Sequence, residues 1–167
     1  MLDGFARHYE TGEPLPGELK QRLLRSRHFH KAMMMVRQLE YALCDLRLHL
    51  EYAPAAPRDP LDVLREVREQ CSVVVTPDWN RFLNSFSHIF GGGYAAGYYS
   101  YLWAEQLAAD AWERFLEDGP FNQETGLSLR REIFAVGAAR PAMESFTAFR
   151  GRPPEPRPLL RSYGLEQ

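Results

Sequence analysis

Residues 86–105 carry the side chains in this sequence that are best suited to chemistry. They read FSHIFGGGYAAGYYSYLWAE and contain one histidine, three consecutive glycines and four tyrosines. Histidine and tyrosine can donate hydrogen bonds to a developing negative charge. Glycine allows a close backbone approach or a positive φ angle. The stretch therefore predicts a substrate-facing loop that leads into the start of a helix.

The spacing of Tyr94, Tyr98 and Tyr101 is that of one helix face. On a helix that begins at Tyr94 they occupy positions i, i+4 and i+7, so their phenols could converge on one ligand. His88 precedes them, on the other side of the glycine triplet, and could join the same cluster. Aromatic residues at helical spacing also form cores, and spacing alone leaves that alternative open. The glycines favour a binding loop, because a purely structural helix start gains little from three entropically costly residues.

The elements that must position this stretch are predicted to be helices. Residues 32–50 show one apolar face, formed by Ala32, Met35, Val36, Leu39, Leu43, Leu46 and Leu50. Asp59 and Pro60 have the pattern of an N-cap and a first helical residue, which predicts a helix to about Cys71. A helix over 94–116 is apolar on nearly all sides and should be covered by neighbours. Shorter helices are expected over 18–27, 125–136, 141–149 and 159–163. Strand signals are almost absent, so the predicted fold class is all-α.

Composition limits the classes of partner. A chain of 167 residues with 45% hydrophobic residues can form one region, 1–167, with its own core. Its 20 basic and 22 acidic residues give a net charge of -2, which offers no reason to expect nucleic acid or a membrane as partner. The two cysteines, Cys44 and Cys71, lack the spacing of a zinc ribbon. A reducing cytoplasm is the expected location.

Residues 84–105, NSFSHIFGGGYAAGYYSYLWAE, closely resemble the C-terminal active-site segment of the thimet-oligopeptidase family of zinc metallopeptidases. The resemblance extends over nearly the whole chain through four further segments, which are RHYETGEPLP at 7–16, RQLEYAL at 37–43, FNQETG at 121–126 and FRGR at 149–152. It implies a multi-helical C-terminal segment of a zincin-type oligopeptidase catalytic domain. It also implies a peptidase that has two halves around a deep channel and cuts short peptides at a single zinc ion.

The resemblance also implies roles for individual residues. His88, Tyr94 and Tyr101 resemble the family's hydrogen-bond donors, which bind substrate and stabilise the tetrahedral oxyanion. Tyr98 resembles a neighbouring tyrosine that contacts substrate. Three glycines, Gly91, Gly92 and Gly93, resemble the family's loop that lies along the bound peptide.

One family motif is missing from these residues. In the family, two histidines of a helical HExxH motif hold zinc, and the intervening glutamate acts as general base. The 167 residues contain no HExxH. In the family this motif precedes the region matched here, so we expect the C-terminal part of such an enzyme, inactive and without bound zinc when isolated. Its expected partners are short peptide substrates and either the missing N-terminal catalytic part or a second copy. The alternative is a non-catalytic helical module that binds peptides or proteins.

Overall fold

The computed structural model describes residues 2–166, and residues 1 and 167 lie outside this part of the chain. The predicted all-α fold class is confirmed. The described residues form two compact units, one of residues 2–31 together with 105–166 and the other of residues 32–104. That they belong to a single region, 1–167, stays a prediction.

Helices make up most of the regular structure of the described residues. They are α1 (Leu2–Phe5), α2 (Gly17–Ser26), α3 (Lys31–Glu51), α4 (Pro60–Cys71), α5 (Phe82–Ser85), α6 (Ser87–Phe90), α7 (Ser100–Asp118), α8 (Gln123–Leu129), a π-helical segment (Arg130–Phe134), α9 (Ala142–Arg150) and α10 (Arg157–Ser162). None of the helices within residues 2–166 combines the length and the apolar character needed to span a bilayer.

The core of unit 32–104 lies between α3, α4 and the short helices α5 and α6. Its buried members are Tyr41, Cys44, Leu48, Val63, Leu64, Val67, Leu83, Phe86 and Ile89. The helix predicted at Asp59 and Pro60 is confirmed, because the Asp59 side chain accepts a hydrogen bond from the N–H of Leu61 at the start of α4. Cys44 is fully buried in this core.

The apolar face predicted for residues 32–50 is only partly buried: Leu43 packs against the core, but other members of that face do not. Leu39, Leu46 and Leu50 are 50%, 40% and 84% exposed. The face covered within its unit instead carries Tyr41, Cys44 and Leu48, together with two buried acidic residues, Glu40 and Asp45. Glu40 can be buried there because Arg68 donates a hydrogen bond to it at 2.9 Å. Periodicity finds an apolar face, but the elements that pack on a helix decide which face is covered.

The predicted start of the helix at Tyr94 is wrong as well. Residues 94–99 form turns, and α7 begins at Ser100. Ala96 has a φ angle of 53°, in the left-handed region, which cannot continue a right-handed helix. Tyr94 and Tyr98 therefore precede the helix, and Tyr101 lies in its first turn.

The unit of residues 2–31 and 105–166 is built around a buried carboxylate. Asp110 on α7 is fully buried and accepts hydrogen bonds from the guanidinium groups of Arg150 and Arg152 and from the N–H of Glu155. The helix predicted over 141–149 is confirmed as α9, and it ends at Gly151, whose φ of 83° suits glycine. The helix predicted over 125–136 is α8 followed by the π-helical segment.

Candidate functional site

The four aromatic residues singled out in the sequence lie together in the structure. We call His88, Tyr94, Tyr98 and Tyr101 the donor cluster. The ring centroids of Tyr94 and Tyr98 each lie 5.0 Å from that of Tyr101. The imidazole of His88 lies 6.0, 6.0 and 6.2 Å from the rings of Tyr94, Tyr98 and Tyr101. The convergence exists although only Tyr101 is on α7.

A tight return after α6 brings Tyr94 back to His88. The N–H groups of Gly91 and Gly92 both donate to the carbonyl of Ser87 at 2.8 Å, and the N–H of Tyr94 donates to the carbonyl of His88 at 3.0 Å. These bonds close the end of α6 onto its own last turn. The glycine triplet thus reverses the chain direction within a few residues. The rings of His88 and Tyr94, which lie on either side of the triplet, come close to each other as a result.

The three glycines are not equivalent in this return. A Cβ atom on Gly92 would lie 2.7 Å from the Cα of His88, a distance that real Cβ atoms essentially never show. Gly93 has a φ angle of 83°, which L-residues with side chains rarely adopt. At Gly91 a Cβ would meet nothing within 4 Å. Two glycines are therefore required by the shape of the loop, and the third leaves its backbone open to an approaching molecule.

The donor cluster rests on the core of unit 32–104 and is open on its other side. The ring of Tyr98 packs against Phe86 at 5.0 Å and against Tyr41 at 5.9 Å, edge to face in both cases. Tyr94 and Tyr98 are half-buried, whereas His88 is exposed and Tyr101 is 41% exposed. The core role that spacing alone left open thus applies in part to Tyr98, and the rings of His88 and Tyr101 remain accessible to a ligand.

The environment raises the pKa of two of the phenols. Burial, with a smaller contribution from Tyr41, raises the pKa of Tyr98 above its ordinary value. Hydrogen bonding to the Tyr94 phenol, together with desolvation, raises the pKa of Tyr101. A phenol with the ordinary tyrosine pKa of about 10 already carries its O–H proton at neutral pH, and these shifts move its loss to still higher pH. Both phenols can donate hydrogen bonds to an anionic oxygen, which is the role of an oxyanion-stabilising group.

Sequence reasoning missed Asp45, which supports the turn that precedes α7. Its side chain is fully buried, and its two carboxylate oxygens accept hydrogen bonds from the N–H groups of Ala96 and Tyr98, each at 2.9 Å. The available signal was a charged residue next to Cys44, inside a helix that must bury one side. A buried carboxylate needs partners, and in this structure two backbone amides provide them.

The described residues do not offer a zinc site. Across residues 2–166, no three His, Cys, Asp or Glu side chains are grouped closely enough to hold a metal ion. The donor cluster contributes one residue of a type that commonly ligates zinc, His88, and three phenols. The zinc ion that the family resemblance implies therefore does not fit the residues present. What their arrangement can do is hold several hydrogen-bond donors around one point.

Comparison with known proteins assigns the chain to a family. The model of peptidase family M3 matches residues 1–165. The chain is 50% identical over 159 residues to oligopeptidase A of Salmonella typhimurium, and the match covers 95% of this chain and 23% of that protein. Oligopeptidase A of Escherichia coli is 49% identical, with the same coverage. Dipeptidyl carboxypeptidase of E. coli is 37% identical over 164 residues, which cover 96% of this chain and 24% of the relative.

The chain thus spans about a quarter of the length of these relatives. The family model and the relatives agree with the resemblance that the sequence motifs indicated, and that resemblance is confirmed. The chain belongs to peptidase family M3, a family of zinc metallopeptidases.

Proposed function

We propose that this chain is the substrate-binding and oxyanion-stabilising C-terminal part of a zinc-dependent oligopeptidase that hydrolyses short peptides. The observation that carries the proposal is the convergence of His88, Tyr94 and Tyr101 beside an open glycine loop, in a segment that belongs to a peptidase family. In this proposal the isolated chain is inactive, because zinc does not fit residues 2–166. The zinc ligands and the general base come from the rest of the peptidase.

The chemistry proposed for the donor cluster is stabilisation of charge. When a peptide bond is attacked, its carbonyl oxygen gains negative charge as the carbon becomes tetrahedral. O–H and N–H groups that are already aimed at that oxygen stabilise it without reorganising during the reaction. We assign this role to Tyr94, Tyr101 and His88, and we assign substrate contact to Tyr98. The peptide backbone would lie along the loop at Gly91, where the structure leaves space.

Exposed apolar faces support a further part of the proposal, namely that another polypeptide covers this one. In unit 32–104, Leu46 and Leu50 on α3 and Trp103 on α7 are exposed. In the other unit, an apolar groove of about 440 Å³ is lined by residues of α7, the π-helical segment and α9, among them Trp112, Phe115, Ile133 and Phe146. Large exposed apolar surfaces mark association sites. We propose that the N-terminal catalytic part, or otherwise a second copy of the chain, covers these apolar surfaces. We also propose that the assembly is located in the cytoplasm.

Complementation tests this proposal. The chain is purified and mixed with the part of E. coli oligopeptidase A that it does not match, and cleavage of a fluorogenic short peptide is followed with zinc present. We expect neither piece to cleave alone and the mixture to cleave. Robust cleavage by the chain alone contradicts the proposed division of the active site. A mixture that associates and binds peptide without cleaving it favours the non-catalytic binding module.

The same mixture tests the role of Tyr101. Replacing Tyr101→Phe removes one O–H donor and should lower kcat by about 10²–10³-fold, equivalent to about 2.7–4 kcal/mol, with a smaller change in KM. Tyr99→Phe is the matched control, since Tyr99 is an adjacent exposed tyrosine outside the donor cluster. An equal effect of both substitutions on kcat would count against the assigned role.

A further inference from the structure

We propose that Asp45 is a positioning residue for the donor cluster, and that its carboxylate sets the turn that delivers Tyr98 and Tyr101 to His88. The effect of Asp45 on catalysis rests on the proposed function. Its effect on the shape of the turn rests only on the contacts of Asp45, and the two effects can be measured separately.

Asp45 connects two distant parts of unit 32–104. It lies in the second half of α3, and its partners Ala96 and Tyr98 follow 51 and 53 residues later. Oδ1 accepts from the N–H of Ala96 and Oδ2 from the N–H of Tyr98, each at 2.9 Å. Because both oxygens are engaged by amides two residues apart, the carboxylate fixes the position and the direction of the chain between them.

The turn held by Asp45 is one that local preference disfavours. Ala96 has a φ angle of 53°, and a left-handed conformation is unfavourable for an alanine. Two further bonds complete the turn: Gly97 N–H donates to the carbonyl of Tyr94 at 2.8 Å, and Ser100 N–H donates to that of Gly97 at 3.0 Å. An unfavourable conformation persists only where surrounding contacts determine it, and Asp45 supplies two of them.

The carboxylate is enclosed by its neighbours on α3. The Nδ1 atom of His49, one helical turn further along, is hydrogen-bonded to the backbone carbonyl of Asp45 at 2.9 Å and also lies 2.9 Å from Asp45 Oδ1. Asp45 is fully buried, next to the buried Cys44 and near Tyr41, so its side chain has little freedom to turn away. The turn at 94–99 therefore receives a rigid acceptor. The rings of Tyr98 and Tyr101 follow directly from this turn, and their approach to His88 depends on it.

The substitution Asp45→Asn tests the assignment with little change in size. An asparagine offers one acceptor and one NH₂ donor, so one of the two backbone N–H groups loses its partner and faces another donor. In the full chain, we expect amide hydrogen exchange at Ala96 and Tyr98 to accelerate by about tenfold or more, and the ring resonances of Tyr98 and Tyr101 to shift. In the complementation mixture, we expect kcat to fall by about tenfold or more while KM changes less.

Two comparisons make the result specific. Asp110→Asn is the matched control, since Asp110 is equally buried but its partners, Arg150, Arg152 and Glu155, belong to the other unit. It should lower stability and leave the exchange rates of Ala96 and Tyr98 unchanged. Adding Ala96→Gly to Asp45→Asn should restore part of the lost kcat, because glycine adopts the left-handed conformation without strain.

The positioning role of Asp45 and the proposed function of the chain can fail independently of each other. Unchanged exchange at Ala96 and Tyr98 and unchanged ring resonances in Asp45→Asn would overturn the positioning role. A kcat that falls only in proportion to the folded fraction would overturn its catalytic consequence. If the mixture with the unaltered chain is inactive, the proposed function fails, and exchange and ring resonances alone decide the role of Asp45. If Asp45→Asn does not fold, Asp45→Glu, which keeps the charge but lengthens the side chain, must shift the same resonances.

Discussion

Each unit of the structure contains one fully buried aspartate, and the two use different partners. Asp45 in unit 32–104 accepts from two backbone N–H groups of one turn. Asp110 in the other unit accepts hydrogen bonds mainly from arginine side chains. Burial alone would raise the pKa of its carboxyl group, but hydrogen bonds from Arg152 and from the N–H of Glu155 outweigh burial and lower that pKa. Backbone partners determine the shape of a loop, whereas arginine partners hold segments together. The difference suggests that one carboxylate supports function and the other supports folding.

Removing Asp110 should have the largest effect on stability. Asp110→Ala leaves Arg152 and the partly buried Arg150 without their shared acceptor, and breaking a buried pair in this way costs about 3–5 kcal/mol. We expect the midpoint of urea unfolding to fall accordingly. Glu18→Ala, which removes an exposed pair with Arg22, is the control and should change little. Equal effects of the two substitutions would contradict a folding role for Asp110.

Substitutions in the glycine loop test whether close packing determines the backbone path that leads into the turn held by Asp45. Gly92→Ala forces a Cβ against the backbone of His88 and should cost about 1–3 kcal/mol, with displaced Tyr94 and His88 ring resonances. Gly91→Ala, one residue away, should leave the resonances in place and change stability by less than about 1 kcal/mol. The measurements are urea unfolding and NMR spectra of the two variants. Similar results for both would mean that the return after α6 is not set by close packing.

High pH should have the smallest effect and should act on both units. The pKa of Tyr163 is raised to about 12 by burial and by its hydrogen bond to Glu105, and the pKa values of Tyr98 and Tyr101 are also raised. Above the ordinary tyrosine pKa of about 10 the unfolded chain loses protons that the folded chain keeps. The free energy of unfolding should therefore decrease as the pH rises from about 10 toward 12.

Unfolding curves at several pH values, followed together with tyrosinate absorbance, would measure this decrease. Tyr163→Phe should reduce the slope, because it removes the group with the most strongly raised pKa of the three. A slope of the opposite sign would contradict the assigned shifts.

Much of the fold and the membership of the donor cluster could be predicted from the sequence. Apolar spacing and the pair of Asp59 with Pro60 mark helices through local chemistry that operates within a few residues. The short helices α5 and α6 were missed, since each has only four residues and shows no periodicity. The buried face of α3 could not be predicted, because it depends on the elements that pack against the helix.

The turn at 94–99 is the clearest example of what sequence spacing cannot resolve. Tyr94, Tyr98 and Tyr101 have helical spacing, and a continuous helix would also bring their rings together. The structure reaches the same convergence through a different backbone, because a carboxylate more than fifty residues earlier holds Ala96 in a left-handed conformation. The rings of His88, Tyr94, Tyr98 and Tyr101 therefore lie together for a reason that spacing did not indicate, and their role as a site stays a prediction.

The open space at Gly91 also makes the loop accessible to chemical labelling. A cysteine introduced there by Gly91→Cys would be exposed beside the donor cluster. The two native thiols would compete weakly for a reagent, since burial raises the pKa of Cys44 to about 11 and also raises that of Cys71. A fluorophore attached at position 91 could therefore report the arrival of a peptide in real time.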